Sequence, residues 1–217
     1  MSDQSFRLDM TMMYTLHDAL RRELVRISQV TARADDDPRH VLRTAVGWEM
    51  FKAYLRVHHT SEDDAVWPVM RRALAERPDD LALLDAMESE HAAIDPLLDA
   101  VDAALADRNS GPEQLGERVD ALGAALSGHL MHEEKEALRL IDTTLTEQQW
   151  QHFGELHGQR VGTDASRYLP WLLDGASPER TAAALSRIPE RLRAAYKDEW
   201  LPAYARLDLW GSTDQPS

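Results

Sequence analysis

The stretch His58-His59-Thr60-Ser61-Glu62-Asp63-Asp64-Ala65-Val66-Trp67-Pro68 decides how this chain reads, because its pair His58 and Glu62 recurs as His129 and Glu133 in HLMHEEKEALRL, residues 129–140. Residues four apart on a helix share a face, one turn from each other. Each pair therefore presents an imidazole nitrogen and a carboxylate in the same direction, which is a metal-ligand geometry. With nine histidines and thirty-eight acids in 217 residues, about 1.6 histidines should have an acid four residues later by accident, the background any short motif must exceed. Five do: His58, His59, His91, His129 and His132.

The two Glu pairs lie on otherwise apolar faces. Trp48, Phe51, Leu55, His58, Glu62 and Val66 follow helical spacing, as do Leu122, Leu126, His129, Glu133, Ala137 and Leu140. Both pairs are expected to point into a core, where a carboxylate is costly unless paired, protonated or bound to metal. Two more stripes carry single histidines: Met13, His17, Leu20, Leu24 and Ile27, then Met87, His91, Ile94, Leu98, Val101 and Leu105. A lone histidine on such a stripe is usually a satisfied core residue. Four of them on four helices, two with matched Glu, read as one site.

Composition narrows the class. The chain is 43% hydrophobic, enough for a large core, but no run of eighteen apolar residues exists and the N-terminus lacks a basic start followed by an apolar stretch. Neither a membrane span nor a signal peptide is predicted, and a cytoplasmic location is expected. Cysteine is absent, which excludes disulfides, thiolate-held metals and a cysteine nucleophile. Any metal must be held by nitrogen and oxygen. A net charge of −14 argues against nucleic acid and anionic lipid as partners, since both need clustered Lys and Arg.

Asp37-Pro38, Pro78-Asp79 and Asn109-Ser110-Gly111-Pro112 read as helix punctuation. They separate four segments with short connections, so an all-α, antiparallel, up-down-up-down four-helix bundle is expected over residues 8–142, with additional C-terminal helices over 146–210. In that topology the second and fourth helices run parallel. Their His-x-x-x-Glu pairs would face each other and place two metals side by side, with the Glu residues able to bridge. Pro68 is expected to bend or end the second helix, and Pro96 reads as a tolerated kink in the third. Thr146 to Gln149 forms a capping box, and Ser177-Pro178 opens another helix. Trp150, Trp171, Trp200 and Trp210, with Tyr168, Tyr196 and Tyr204, are expected to pack this segment on the bundle; the alternative is a partner surface or homo-oligomer contact. His152 and His157 have no acid four residues later and fall outside the predicted site.

Taken in order, a first-helix histidine in LHDALRREL, a His-x-x-x-Glu followed by aromatic-Pro in HHTSEDDAVWP, a third-helix histidine in SEHAAIDPLL and a final HLMHEE resemble the hemerythrin-like, or HHE cation-binding, family over about residues 10 to 142. The resemblance implies a four-helix bundle holding a non-haem di-iron centre, its two ions oxo- or hydroxo-bridged. The implied ligands are His17, His58, Glu62, His91, His129 and Glu133, with Glu62 and Glu133 as bridges. Manganese and zinc would accept the same donors. The pattern departs from the oxygen-carrying hemerythrins of animals, which have a second helix-3 histidine and a His-x-x-x-x-Asp in helix 4. Here Asp95 takes the first position, and helix 4 keeps the four-residue spacing, with Glu134 one residue further on. Four histidines would divide two and two, which argues against reversible dioxygen carriage. Asp95 would ligate an iron, hydrogen-bond a ligand histidine or be exposed; His132 reads as outer-sphere or surface; His59 with Asp63 is the register alternative to His58 with Glu62.

Rival motifs fail. Only one Glu-x-x-His, at Glu88 and His91, is present where ferritin-like sites need two, and His132-Glu133 lacks the second histidine of a zincin. The expected function is a di-iron protein that meets oxygen, nitric oxide or peroxide as a sensor or storage protein. The alternative is an enzyme that breaks down hydrogen peroxide or reduces nitric oxide.

Overall fold

Each of the four periodic stripes folds as a helix in the computed structural model, which describes residues 6–32, 38–107 and 112–210. α1 (Thr11–Thr31) buries Met13, His17, Leu20, Leu24 and Ile27. After a short α2 (Pro38–Thr44), α3 (Val46–Ala65) buries Trp48, Phe51, Leu55, His58 and Glu62. The chain breaks at Val66 and resumes as α4 (Trp67–Ala73), with Pro68 in the first turn, where a missing N–H is no loss. α5 (Pro78–Ala106) runs through Pro96. α6 (Pro112–His132) passes into one wide π turn, Glu133–Ala137, and then into α7 (Leu138–Thr144). No strand occurs among the described residues. Asp37 and Asn109 to Gly111, read above as punctuation, lie outside them.

The buried apolar residues form two clusters, and every long helix connects them. Leu20, Leu55, Ile94 and Leu126 belong to one; Met13, Val66, Met87 and Ala137 belong to the other. α1 and α5 run from the second cluster to the first, and α3 and α6 run the opposite way, so the antiparallel up-down-up-down order follows directly. On each helix the ionisable residues fall between the two clusters. The bundle is thus a polar layer sealed above and below by hydrocarbon.

The C-terminal helices wrap one side. α8 (Glu147–Val161) starts at the expected capping box: Thr146 Oγ1 accepts from the Gln149 N–H at 3.2 Å, and Gln149 Oε1 accepts from the Thr146 N–H at 2.9 Å. A 3₁₀ turn leads to α9 (Ala165–Leu173), then to α10 (Pro178–Ser186), where Ser177 accepts from the Arg180 N–H at 3.2 Å. α11 (Glu190–Ala195), a second π turn and α12 (Leu201–Tyr204) follow. α8 lies along α3, while α9 and α10 lie on α1. Tyr54 of α3 meets Tyr168 and Trp171 of α9, with ring centroids 4.9 and 4.8 Å apart. Arg22 of α1 donates to the carbonyls of Trp171 and Asp174 at 2.7 and 2.6 Å. Trp171, Tyr168, Tyr196 and Tyr204 are buried against the bundle, and Trp150, Trp200 and Trp210 are partly buried. No helix of the described residues is long and apolar enough to cross a membrane.

The last described turn is held at Gly47, whose N–H donates to the Leu209 carbonyl at 2.8 Å. A Cβ there would stand 2.5 Å from Trp210 Cε2 and 2.8 Å from the Leu209 oxygen. Gly47→Ala is therefore expected to cost about 1–3 kcal/mol, the range for overpacking, and to expose residues around 205–210 to protease. Chemical denaturation and limited proteolysis check this.

Candidate metal centre

The polar layer brings together all six predicted residues. His17 and His58 turn their Nε2 atoms to within 3.2 Å of each other, and His91 and His129 do the same at 3.1 Å. Two nitrogens bound to one ion at about 2.1 Å stand roughly 3 Å apart, so each pair has the spacing of co-ligands. Glu62 lies between the pairs, with Oε1 3.7 Å from His58 Nε2 and Oε2 3.5 Å from His91 Nε2. Glu133 does likewise, its Oε2 3.2 Å from His17 Nε2 and 3.8 Å from His129 Nε2. Both carboxylates are 0% exposed, and none of their four oxygens has an aligned hydrogen-bond partner. Buried polar atoms are nearly always satisfied, so four orphaned oxygens facing converging nitrogens fit a cation-binding site.

The outer nitrogens explain why the imidazoles face inward. His17 Nδ1 donates to Glu134 Oε1 at 2.9 Å, His91 Nδ1 to Asp63 Oδ1 at 2.8 Å, and His129 Nδ1 to Glu90 Oε2 at 3.0 Å. A carboxylate on the outer nitrogen fixes the tautomer that leaves Nε2 free for metal and raises its basicity. The π turn matters here, since it brings two successive acids, Glu133 and Glu134, within reach of His17. Arg21 anchors Glu134 at 2.8 Å.

The family model of the hemerythrin HHE cation-binding domain matches residues 9–141. The chain belongs to this family. No curated protein and no solved structure matched the chain.

Within this hemerythrin domain the structure places the residues whose roles the sequence left open. His59 and Asp63 lie in the same layer as His58 and Glu62, with Asp63 accepting from His91. His59 is buried, its Nε2 has no partner, and its ring stacks on His91 at 4.0 Å. Donor atoms of His59, His91 and His129 lie within 4.8 Å of one another, as do those of His17, His58 and Glu133. His59 is thus a further candidate nitrogen donor beside His91 and His129. Asp95 is exposed and accepts from Arg56 at 3.4 Å, because α5 turns it away from the layer; the outer acceptor for His91 comes from α3 instead. His132 is outer-sphere, donating to the second oxygen of Glu90 at 2.8 Å. His157, set aside on sequence grounds, lies with its ring centroid 6.4 Å from that of His58.

Charge within the metal-free layer is divided unequally. Burial alone would lower the His17 imidazole, but Glu133 and Glu134 outweigh it and hold it up at about 9. Burial likewise opposes ionisation of Glu133, yet His17, then His129 and His91, bring that carboxyl down to about 2. Glu62 is pushed well above the carboxylate range by burial and then by Glu133. Burial, followed by neighbouring imidazoles, holds His58 and His59 neutral. Protons on His17 and Glu62 thus occupy the place that cations would take.

Two expectations follow from this arrangement. Asp63→Ala and Glu90→Ala should each weaken metal affinity about 10- to 100-fold in a competition with a chelator, whereas Asp95→Ala should leave it unchanged. The stability that the His17–Glu133 pair lends the metal-free chain is complete between about pH 4.5 and 6.5, is lost in acid as Glu133 protonates toward about 2, and is lost in alkali as pH rises through about 9; ionising Glu62 acts in the same direction as this alkaline loss. The gap in melting temperature between metal-loaded and metal-free protein should widen across the alkaline window, and a gap that narrows would contradict the assignment.

Proposed function

We propose that the protein is a cytoplasmic di-iron sensor or store that meets a small ligand, oxygen, nitric oxide or peroxide, at this centre. The observation that carries the reading is the pair of buried carboxylates, Glu62 and Glu133, whose unpartnered oxygens lie between two groups of imidazole nitrogens. His17, His58, Glu62, His91, His129 and Glu133 would hold the ions, with His59 as a further nitrogen donor. Imidazole with bridging carboxylate suits a hard ion of variable valence such as iron, and the lack of cysteine excludes thiolate-held metals. Bound iron supplies Lewis acidity and a change of oxidation state toward an oxygen- or nitrogen-centred ligand.

The chain's own residues do the rest. Glu134, Asp63 and Glu90 fix three imidazoles, and the two apolar clusters close the layer above and below.

Protein isolated from iron-supplemented cells should contain two iron ions per chain by elemental analysis and show a reversible absorption change on adding oxygen or nitric oxide. Colourless, iron-free protein would sink the proposal. Hydrogen peroxide turnover that disappears in Glu133→Ala would replace it with the enzymatic reading.

A further inference from the structure

Two cavities border the histidines of the metal centre, and their walls differ in kind. The one beneath the C-terminal helices, of about 380 Å³, is walled by Leu16, Phe153, Tyr168 and Trp200, with no carboxylate among the described residues that line it. The other, of about 310 Å³, lies between α3 and α5, where Arg56, Asp63, Glu88 and Asp95 surround the approach to His59 and His91. Carrying a cation past hydrocarbon is far costlier than passing it along carboxylates, so only the second cavity offers a metal ion a route.

The seam itself favours passage. α3 and α5 are the most loosely packed neighbouring pair among the four long helices of the bundle. Around the cleft, Asp63, Asp85, Glu88, Asp95 and Asp99 outnumber Arg56 and Arg71. Arg56 reaches from α3 to Asp95 and Asp99 at 3.4 and 3.3 Å, and Arg71 pairs with Asp85 and Glu88, so the cleft stays negative after every pairing. At its inner end stands His59, 7% exposed, with Nε2 lacking a hydrogen-bond partner. Its ring lies face to face with that of His91, the planes 9° from parallel, whereas the His91 and His129 rings meet at 74°. Imidazole lone pairs lie in the ring plane, so two stacked rings do not aim at one ion and two crossed rings can. His59 is therefore a nitrogen donor beside the centre that is not locked into it.

We propose that metal ions enter between α3 and α5, gathered at the threshold by Glu88 and Asp95 and taken in by His59 Nε2, which delivers them to the layer as its ring leaves the face of His91. This rests on the metal-binding reading of the centre, and it gives a role to three residues outside the six predicted ligands. Glu88 and Asp95 act through their charge on the rate of uptake. They do not touch the ligand nitrogens and so leave the affinity of the loaded site alone. Arg56, the cation at the mouth, acts against entry.

The probe is cobalt(II), mixed with metal-free full-length protein in a stopped-flow instrument; its visible absorption reports uptake, and affinity is measured separately at equilibrium. Glu88→Gln combined with Asp95→Asn should slow uptake about three- to tenfold at low ionic strength, lose that difference in high salt, and leave affinity unchanged. Arg56→Gln should speed uptake. Glu117→Gln combined with Asp120→Asn, which removes the same charge from the exposed face of α6, should leave the rate as it is. His59→Phe keeps a stacked ring without the nitrogen and should slow uptake at every ionic strength. A cleft pair that loads at the native rate, an α6 pair that slows loading equally, or His59→Phe loading at the native rate would each overturn the route. Cobalt bound at equilibrium with uptake indifferent to the cleft residues defeats this inference alone, whereas no cobalt bound at all defeats the metal reading and this inference with it.

Discussion

Two carboxylates buried side by side in a helical core are the constraint that the rest of this molecule answers. An ion taken from water into a protein interior costs roughly several kcal/mol even after relaxation, and here neither Glu62 nor Glu133 is given a hydrogen-bond donor of its own. The chain surrounds them with imidazoles from four helices and closes the layer with hydrocarbon on both sides. Without metal the layer settles into a compromise, with a charged pair at His17 and Glu133 and a protonated Glu62. A bundle built only for stability would place leucine at these positions.

The surroundings of the centre are as specific as its ligands. Glu134 comes from the π turn, Asp63 from α3 and Glu90 from α5, and each reaches across to an imidazole on another helix. Helix packing and ligand orientation are therefore one problem: an outer carboxylate holds its histidine only when two helices sit at the right rotation. Wide turns of this kind recur where a helix must aim side chains that a regular α turn would point elsewhere, and the one here begins at Glu133.

The bundle and its six inward residues were legible because one periodicity, the helical one, carries both the apolar stripe and the ligands embedded in it. His17 sits between Met13 and Leu20 in sequence and between the two apolar clusters in space. Residues whose position depends on a neighbouring helix were not legible. His58 and His59 are adjacent, and only one could lie on a narrow stripe; α3 is buried over a wider arc because α8 covers its other flank, so both are inside. Asp63 and Asp95 are alike in sequence, each four residues after a histidine, yet one meets His91 and the other meets Arg56. Thr146 and Ser177 announced their helices through local capping chemistry, but nothing local says that α8 would bring His157 beside His58.

The sealing of the polar layer has a kinetic side. Apolar packing closes the volume above and below, so an ion's way in or out is sideways, between α3 and α5, where the cavity of about 310 Å³ lined by Arg56, Asp63, Glu88 and Asp95 reaches His59 and His91. Carboxylates outnumber the single arginine along this path, so a cation is drawn to the threshold and an anionic chelator is held off.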